Sequence, residues 1–508
     1  MYQRSSGLLL HVTSLPGPHG IGDLGDEAFA FARMLEHANQ HIWQVLPLGP
    51  AGAGNSPYDS RSSFAGNPLM INLHELVRDG LLDPDDVPAT TRFSRSTVEF
   101  GRVRNWKRKR LESAFERFQL GTNSPLHSEY EAFVSASGDW LNDFALYQAL
   151  KDAHNSRPWY RWPYGIRRFD RDEVERWRRS VSRQIEYYRF EQFLFDLQWK
   201  RLKRYANSLG IAIMGDVPIY VALDSADVWG NQEQFLLDED SRPSVQAGVP
   251  PDLFSADGQL WGNPVYEWDR MAADDYSWWR SRIARTFDLT DIVRVDHFRG
   301  FAAGWQVPAG ASTARTGEWI PGPGRALFDS LAKHIGELPI IVEDLGVITP
   351  DVEALRDDLG YPGMKVLQFA FDRDPKNPYL PHNAVPVSMV YTGTHDNDTT
   401  SGWYQSLAEA DRVYARRYAR GRDETIHWDM LRLAWSSVSV LACAPVQDVI
   451  GLDGDARMNV PGIARGNWSW RLDSLDPLTR RAAALRDLTE LYGRVNAPVA
   501  HAAGDVDD

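Results

Sequence analysis

Eight short runs of apolar, mostly β-favouring residues recur along the sequence, and each is bounded by Gly, Pro, Asp or Asn. Most of the runs are continuously apolar, which is typical of strands covered on both faces, as in a parallel sheet. Helical patterns separate them. The runs are 7–12, 41–48, 211–217, 291–298, 339–344, 364–371, 388–393 and 445–452. Eight repeated βα units predict an α/β fold in which the strands close into a (β/α)8 barrel of the TIM type.

Two long segments interrupt the βα rhythm. The segment 72–210 is strongly helical in pattern and is predicted to be an insertion beside the barrel, with Gly210 as the cap of its last helix. The segment 220–269 is rich in Gly, Pro, Asp and Trp and is predicted to be a loop-rich insertion. We therefore expect one catalytic barrel domain over 1–500, a disordered tail over 501–508, and no separate C-terminal β-sandwich.

Composition and charge exclude several classes of function. The formal net charge is −14, so the chain lacks the basic surface expected of a protein that binds nucleic acid or an anionic membrane. One local basic run, 107–110, lies in a helical pattern and is predicted to form a solvated helix face. No apolar stretch is long enough to span a membrane or to serve as the core of a signal peptide, so we expect a cytoplasmic protein.

Cysteine and aromatic content add two further expectations. The single cysteine, Cys443, lies in an apolar run and is predicted to be a core residue, and it leaves no cluster of thiolates for a metal. The 19 tryptophans suit a carbohydrate groove, because the apolar faces of sugars stack on flat rings.

Charged side chains follow several of the predicted strands. In DIVRVDHF the alternation of a strand puts Arg294 and Asp296 on one face and His297 on the other, with the two valines. If the valines pack on the outer helices, Arg294 and Asp296 point into the barrel at the strand end, where barrel enzymes build their sites. Other acids follow three further runs at Asp216, Glu343, Asp344, Asp396 and Asp398.

Three interpretations of these acids remain open from the residues alone. They could cap strands and form ion pairs, although like charges around one rim repel one another and a purely structural design avoids this. Asp396 and Asp398, with His395, could bind a metal. They could also perform glycoside chemistry, in which Arg294 keeps Asp296 ionised and an apolar setting keeps Glu343 protonated. His297, on the valine face, is interpreted as structural.

Longer motifs resemble a known family. The runs RVDHFRGF, IIVEDLG and TGTHDNDT, with GDVPIYV and PPDLFSADGQLWGNP, resemble the 4-α-glucanotransferases called amylomaltases or disproportionating enzymes, which are relatives of the α-amylases. The resemblance extends from SSGLLLHVTSLPGPHGIGDLG through SPYDSRSSFAGNP to PGIARGNWSWRL, so it covers nearly the whole chain. The chain resembles the compact bacterial members of this family.

The resemblance implies residue roles. Asp296 would be the nucleophile that forms a covalent glycosyl-enzyme intermediate, and Glu343 the acid that then becomes the base. Asp396 would grip ring hydroxyls and stabilise the transition state. The resemblance implies no cofactor and no bound metal. The implied substrate-binding residues are Arg294, Asp216, His395, Asn397, Tyr58, Phe254, Trp261, Asn263 and Asn467. One departure is Leu253, where many relatives carry a tyrosine, which implies a thinner aromatic clamp on the acceptor side.

The implied activity is the transfer of α-1,4-glucan segments to the 4-hydroxyl of an acceptor glucan or glucose, with maltooligosaccharides, amylose or glycogen-type glucans as partners. The nearest alternative is an amylase-like hydrolase of the same bonds. More distant alternatives are a metal-dependent sugar-nucleotide transferase that uses Asp396 and Asp398, and a glucan-binding barrel without activity. Transfer requires that water be kept from the intermediate, and the loops 52–68 and 220–269 are the candidates for that shielding.

Overall fold

The computed structural model describes residues 2–88, 91–121, 125–251, 255–463 and 465–495. Twelve strands lie in these ranges: β1 Ser5–Leu9, β2 Ile42–Gln44, β3 Ala212–Pro218, β4 Val245–Val249, β5 Gln259–Pro264, β6 Ile292–Asp296, β7 Ala303–Pro308, β8 Glu318–Pro321, β9 Ile340–Val342, β10 Gly363–Val366, β11 Ser388–Tyr391 and β12 Leu441–Pro445. Eight of them form a closed parallel barrel in the order β1-β12-β11-β10-β9-β6-β3-β2. The predicted (β/α)8 barrel is confirmed.

Seven of the eight predicted runs overlap a barrel strand by three or more residues, but the eighth prediction, 445–452, is wrong because it shares only Pro445 with a strand. The last barrel strand is β12, and the residues that follow it form the helix Val446–Ile450. Asp448 explains the difference, because its buried carboxylate accepts hydrogen bonds from Thr392 and Thr400 as part of a helical turn. The apolar run just before Pro445 supplies the strand, and Cys443 lies buried within it as expected.

Side chains on the barrel strands separate into an inner and an outer set, as strand alternation requires. Ile292 packs against the inner cluster of buried residues, which includes Met214, Met364 and Cys443. Val293 and the next valine along belong instead to the large outer core against the helices. The predicted orientation of β6 is therefore confirmed, and its inward face carries Arg294 toward the centre of the barrel.

The helices divide between the barrel and the insertion that precedes β3. The barrel and its loops carry Asp26–His37, Ala226–Gly230, Trp268–Ala273, Ser277–Leu289, Arg299–Ala302, Arg325–Ile335, Pro350–Leu359, Thr400–Ser406, Glu409–Ala419, Ile426–Ser436, Val446–Ile450, Asp476–Thr479 and Ala482–Leu491. Between 72 and 210 lie Leu73–Arg78, Phe100–Leu120, Pro125–Ala153 with non-helical dihedrals at Gly138, Tyr164–Arg167, Arg171–Ser180 and Ser182–Ser208. Gly210 follows the last of these with φ +74°, a conformation that favours glycine.

The segment 220–269 contains more regular structure than the sequence predicts. Its strands β4 and β5 join β7 and β8 in an antiparallel sheet of order β5-β4-β7-β8. The partners β7 and β8 come after barrel strand β6, so the sheet depends on pairing between segments that are distant in sequence. Local composition carries no signal for such pairing. The predicted tail over 501–508 lies outside the described residues.

The basic run 107–110 is not wholly the solvated face that its composition predicts. Lys107 is fully buried, and its ammonium donates hydrogen bonds of 2.7 and 2.8 Å to the carbonyl oxygens of Leu69 and Ile71. Asp23 lies 3.6 Å from the same nitrogen. A helix turns by about 100° per residue, so one member of a four-residue run faces the core even when its neighbours face solvent.

The two ends of the described chain meet where the barrel closes. Strand β1 pairs with β12, with Ser5 opposite Leu441. Arg494 is buried and donates a hydrogen bond of 3.0 Å to the carbonyl oxygen of Ser5 and one of 2.8 Å to that of Trp435. Among the residues described, no helix is both long and apolar enough to cross a membrane.

Candidate active site

Arg294 is the centre of a buried ion network at the end of β6. Its Nη1 donates to both carboxylate oxygens of Asp216, at 2.8 and 2.7 Å, and its Nη2 lies 2.8 Å from Oδ1 of Asp296. The Arg294 side chain is buried, whereas 29% of the Asp296 side chain is exposed. One guanidinium thus fixes two carboxylates in different environments. Asp296 faces accessible space as an anion held by a charge-assisted hydrogen bond.

Glu343 follows β9 and lies against the chain segment that carries Asp296. Its Oε2 accepts a hydrogen bond of 2.8 Å from the backbone amide of His297, and its Oε1 accepts one of 2.9 Å from that of Leu345. Burial, and next the negative charge of Asp296, raise the pKa of Glu343 to about 8, against the opposing effects of Arg294 and the two amides. At neutral pH this carboxyl group holds a proton that it can donate.

Asp396 lies in the loop after β11 and carries the opposite pKa shift. The Asp396 side chain is 45% accessible to solvent. The protein atoms that surround it nevertheless act to raise the pKa of its carboxyl group. His395 at 3.4 Å and a 2.6 Å hydrogen bond from Asn459 Nδ2 outweigh that effect and lower the pKa of Asp396. Burial opposes charge on His395, but the Asp396 carboxylate raises the pKa of that imidazole. Asp396 is therefore a firmly ionised third carboxylate.

Tyr58 forms one wall of this site and contacts both Asp216 and His395. Its hydroxyl donates a 2.7 Å hydrogen bond to Oδ2 of Asp216, and its ring stacks on His395 with centroids 5.0 Å apart and planes at 19°. Trp468 packs on the other side, 5.8 Å from Tyr58 and 5.9 Å from His395 between ring centroids. The loop 52–68 and the loop that carries Trp468 thus bring flat rings to the barrel mouth, as a sugar-binding groove requires.

His297 has a structural role here that depends on its backbone. It adopts the left-handed conformation with φ +52°, which turns the chain directly after Asp296. Trp261 meets the edge of its ring at 4.7 Å and 85°, and 37% of Trp261 is exposed. Asn263, two residues further along β5, donates a 2.8 Å hydrogen bond to the carbonyl oxygen of Val221. The antiparallel sheet therefore presents an accessible indole beside the Asp296 segment.

Asp344 and Asp398 do not join this cluster. Asp344 accepts hydrogen bonds of 2.6 Å from Arg356 and 2.7 Å from the backbone of Met364. Asp398 accepts from the amide of Thr399. Among the described residues, no group of three or more His, Cys, Asp or Glu side chains is arranged to hold a metal ion. The chemistry available to the site is that of one anionic carboxylate beside one protonated carboxyl group, with a second anion nearby.

Comparison with known proteins shows which family contains this chain. The model for the family described as 4-alpha-glucanotransferase matches residues 10–477. The chain belongs to the 4-α-glucanotransferase family. It is 48% identical to a 4-alpha-glucanotransferase of Synechocystis sp. over 97% of this chain and 98% of that protein. It is 46% identical to one of Thermus thermophilus over 97% and 99%. The resemblance and the enzyme class predicted from the sequence are confirmed.

A solved structure of the same family agrees in fold. The amylomaltase from Streptococcus agalactiae in complex with acarbose superimposes with a TM-score of 0.93 at 38% identity, covering 97% of this chain and all of that one. The barrel with its insertions is therefore the architecture of this 4-α-glucanotransferase family.

Two of the substrate-binding residues implied by the family resemblance have amides that are already engaged in their own loops. The Asn397 carbonyl accepts hydrogen bonds of 2.9 Å from both the backbone and the hydroxyl of Thr394. The Asn467 amide bonds to the backbone of Val460 and Ile463, at 2.8 to 3.1 Å. These contacts shape the loops around the groove. Phe254 lies outside the described residues.

The sequence analysis did not single out Asn459, Arg457 or Trp468. Arg457 donates a 2.6 Å hydrogen bond to the backbone carbonyl of Asp396, and Asn459 bonds to its side chain. Arg457 and Asn459 lie in RMNVPG beyond β12, and Trp468 lies in PGIARGNWSWRL, one of the runs that carry the family resemblance. Neither run identifies Asp396 or Tyr58 as a contact.

Proposed function

We propose that this member of the family transfers α-1,4-glucan segments by a retaining, two-step displacement. Asp296 attacks the anomeric carbon of the donor while Glu343 gives its proton to the leaving glycosidic oxygen. The shortened glucan leaves, and Asp296 carries the rest of the donor as a glycosyl ester. Glu343, now ionised, takes the proton from the 4-hydroxyl of an acceptor sugar, which attacks the same carbon and restores both carboxyl groups.

The observation that carries this proposal is the pairing of Asp296 with Glu343. One carboxylate is held by Arg294 at 2.8 Å, and the other carboxyl has its pKa raised to about 8 by burial and by its neighbour. Two carboxyl groups in different protonation states at neutral pH are what a nucleophile and a general acid require. Retention further predicts a separation of about 5 to 5.5 Å between them.

Asp396 has a separate proposed role. Its low pKa and its hydrogen bond from Asn459 keep it ionised while sugar hydroxyls approach. An anion in that position strengthens its hydrogen bonds to the ring hydroxyls as positive charge develops at the anomeric carbon. Tyr58 would form the wall against which the donor sugar lies. The side chains of Arg294, Asp216 and His395 are buried, so they hold that wall in place instead of contacting the sugar as the resemblance implies.

Hydrolysis is the alternative outcome of the same first step, since water could replace the acceptor sugar. Transfer is favoured because relatives at 46 to 48% identity over nearly their whole length are named glucanotransferases. The accessible Trp261 offers an acceptor sugar a flat surface next to Asp296. An acceptor that stacks there displaces water from the face that the intermediate exposes. Maltooligosaccharides and longer α-1,4-glucans are the proposed substrates, and a cytoplasmic setting stays a prediction.

A product profile tests the proposal. Incubation with maltotriose is expected to give glucose and a ladder of longer maltooligosaccharides, while the total concentration of reducing ends stays nearly constant. Steady growth in reducing ends, with glucose and maltose as the end products, would show a hydrolase instead. A parallel reaction with excess chelator should give the same ladder, and its loss would restore the metal-dependent alternative.

A further inference from the structure

A second cavity lies behind the wall that Tyr58 forms. Its volume is about 230 Å³, which is room for a small molecule rather than for one or two waters. Pro57 and Trp468 line it on the side of the active-site wall, and helices Phe100–Leu120 and Pro125–Ala153 line it on the other. The cavity does not include Asp296, Glu343 or Asp396, so it lies apart from the proposed catalytic groups.

Three arginines line this cavity, and two of them, Arg61 and Arg104, come from different elements and lie close to each other. Arg61, in the loop 52–68, reaches Oε1 of Gln148 at 3.5 Å, and Arg104 reaches Oδ1 of Asn55 at 3.2 Å. Within the ranges that the structure describes, neither guanidinium forms an ion pair with a carboxylate. Burial, and next the charge of Arg61, lower the pKa of Arg104, so the two cations lie close enough to repel each other. Their side-chain hydrogen bonds go to neutral amides, Arg104 is partly exposed to solvent, and Asp59 acts on Arg61 from beyond ion-pair distance.

The two acidic residues that line the cavity, Asp152 and Glu191, already have hydrogen-bond or ion-pair partners. Asp152 is held by Arg108 at 2.7 Å and accepts a 2.6 Å hydrogen bond from the Tyr188 hydroxyl. Glu191 accepts a 2.5 Å hydrogen bond from Tyr187, and burial raises its pKa to about 7, which removes part of its charge at neutral pH. Neither carboxylate is available to neutralise Arg61 and Arg104.

A third group at the cavity is polar, buried and unpartnered. His11, 3% exposed, lines the cavity wall, and its Nδ1 has no hydrogen-bond partner among the described residues. Burial lowers the pKa of His11, so the ring is neutral and can present one N–H donor. A buried polar atom without a partner carries a free-energy cost that a bound ligand removes.

We propose that this cavity binds a phosphoryl group between Arg61 and Arg104, either as inorganic phosphate or as the phosphate of a small sugar phosphate. Guanidinium groups match the geometry of phosphate oxygens and bind them through paired hydrogen bonds. The ligand neutralises two cations that repel each other. The site goes beyond the glucan chemistry and does not depend on it.

The position of the site links it to the active-site wall. Pro57 lines the cavity and directly precedes Tyr58, whose hydroxyl holds Asp216. Trp468 lines the cavity and also packs against Tyr58. A ligand there would contact Trp468 and the residue that directly precedes Tyr58.

Calorimetric titration of the full chain tests the proposal, with sodium phosphate and glucose 1-phosphate as separate probes at constant ionic strength set by sodium chloride. Saturable binding of at least one probe is expected. The double variant Arg61→Gln/Arg104→Gln should bind at least about tenfold more weakly, because two charge-assisted contacts are lost. The matched control Arg432→Gln, at an exposed arginine on helix Ile426–Ser436, should bind as the parent does. Both variants must keep the parent's far-ultraviolet circular dichroism.

The outcomes separate the possible ligands. Binding of phosphate but not of glucose 1-phosphate supports a site for the free anion, and tighter binding of glucose 1-phosphate supports a sugar phosphate. Equal binding by the parent and the Arg61→Gln/Arg104→Gln variant would place the anion elsewhere, for example in the sugar groove, and would overturn the proposal. The absence of saturable binding of both probes to the parent chain would overturn it as well.

Discussion

The backbone amide of His297 donates a 2.8 Å hydrogen bond to Oε2 of Glu343. His297 directly follows Asp296, and its left-handed φ of +52° aims the amide at the end of the neighbouring strand. The residue that directly follows the proposed nucleophile therefore positions the proposed acid. The turn after Asp296 thus fixes the Glu343 carboxyl group, while Arg294 fixes the Asp296 carboxylate.

Replacing Asp296 by Asn is expected to lower kcat for maltotriose by at least about 10⁴-fold, because an amide does not form the glycosyl ester. Binding of maltotriose should persist, since Arg294 and the ring wall remain. Kinetics and calorimetry measure the two effects separately. Asp487→Asn, at an exposed position of helix Ala482–Leu491, is the matched control and should leave both unchanged. Substantial turnover by Asp296→Asn would disprove the covalent mechanism.

Replacing Glu343 by Gln should have an effect that depends on the leaving group. With maltotriose, which needs a proton on its leaving oxygen, kcat/KM is expected to fall by about 10²- to 10⁴-fold. With α-maltosyl fluoride, whose leaving group needs no proton, formation of the intermediate should be much less affected. Burst kinetics with both donors measure the difference. A loss of equal size with both donors would argue that Glu343 is not the acid.

The pH dependence of kcat/KM should show an alkaline limb near pH 8. The proposed acid must hold its proton at the start of the reaction, and burial raises the pKa of Glu343 from 4.5 to about 8. Activity is therefore retained below that value and lost as the pH rises through it. The folded state binds this proton more tightly than the unfolded state, in which the pKa is near 4.5. The free energy of unfolding should therefore decrease as the pH rises from about 4.5 to about 8. A profile that stays flat to pH 10 contradicts the assignment.

Replacing Arg294 by Gln should reduce both activity and stability. It leaves the buried Asp216 carboxylate without its cation, which is expected to lower the free energy of unfolding by about 3 to 5 kcal/mol. Denaturant unfolding measures this. The double variant Arg294→Gln/Asp216→Asn removes the uncompensated charge and should recover part of the stability without recovering activity, since Asp296 still lacks its partner. Equal stability of the single and double variants would show that the charge of Asp216 is not what Arg294 compensates.

Asn459 is expected to act as a positioning residue for Asp396. In Asn459→Ala the 2.6 Å hydrogen bond to Oδ1 is lost, so kcat/KM should fall by about 10- to 100-fold. The pKa of Asp396 should also rise, because that bond is one of the contacts that lower it. The conservative variant Asn459→Gln should recover part of kcat/KM, and a loss of folded protein that explains the whole decrease would indicate a purely structural role in the loop.

The sequence predicts the parts of the site that depend on local rules. Strand alternation is enough to place Arg294 and Asp296 inside the barrel, and the end of a strand is enough to place Glu343 at its mouth. The contacts of Asn459 and Trp468 do not follow from local rules. Asn459 contacts Asp396, which is more than 60 residues away in sequence, and Trp468 contacts Tyr58, which is several hundred residues away. No periodicity or spacing specifies such contacts.

The last strand is misplaced in the prediction because the local sequence is ambiguous at that point. Apolar residues continue from β12 through Pro445 into helix Val446–Ile450, so hydrophobicity alone does not mark the boundary. Short apolar runs of this kind suit a buried strand or a buried helix equally well. The tertiary contacts of Asp448 with Thr392 and Thr400 settle the outcome, and they join segments about 50 residues apart.

The pairing of β1 with β12 sets a condition on the timing of folding. Ser5 meets Leu441 across the closure, so the first strand made during synthesis must wait for nearly the last. A nascent chain that has delivered Asp296, Glu343 and Asp396 from the ribosome still lacks the strand that completes the ring. Domains generally fold as units, so we expect the enzyme to gain its competence to react in one late event, after translation has passed residue 445.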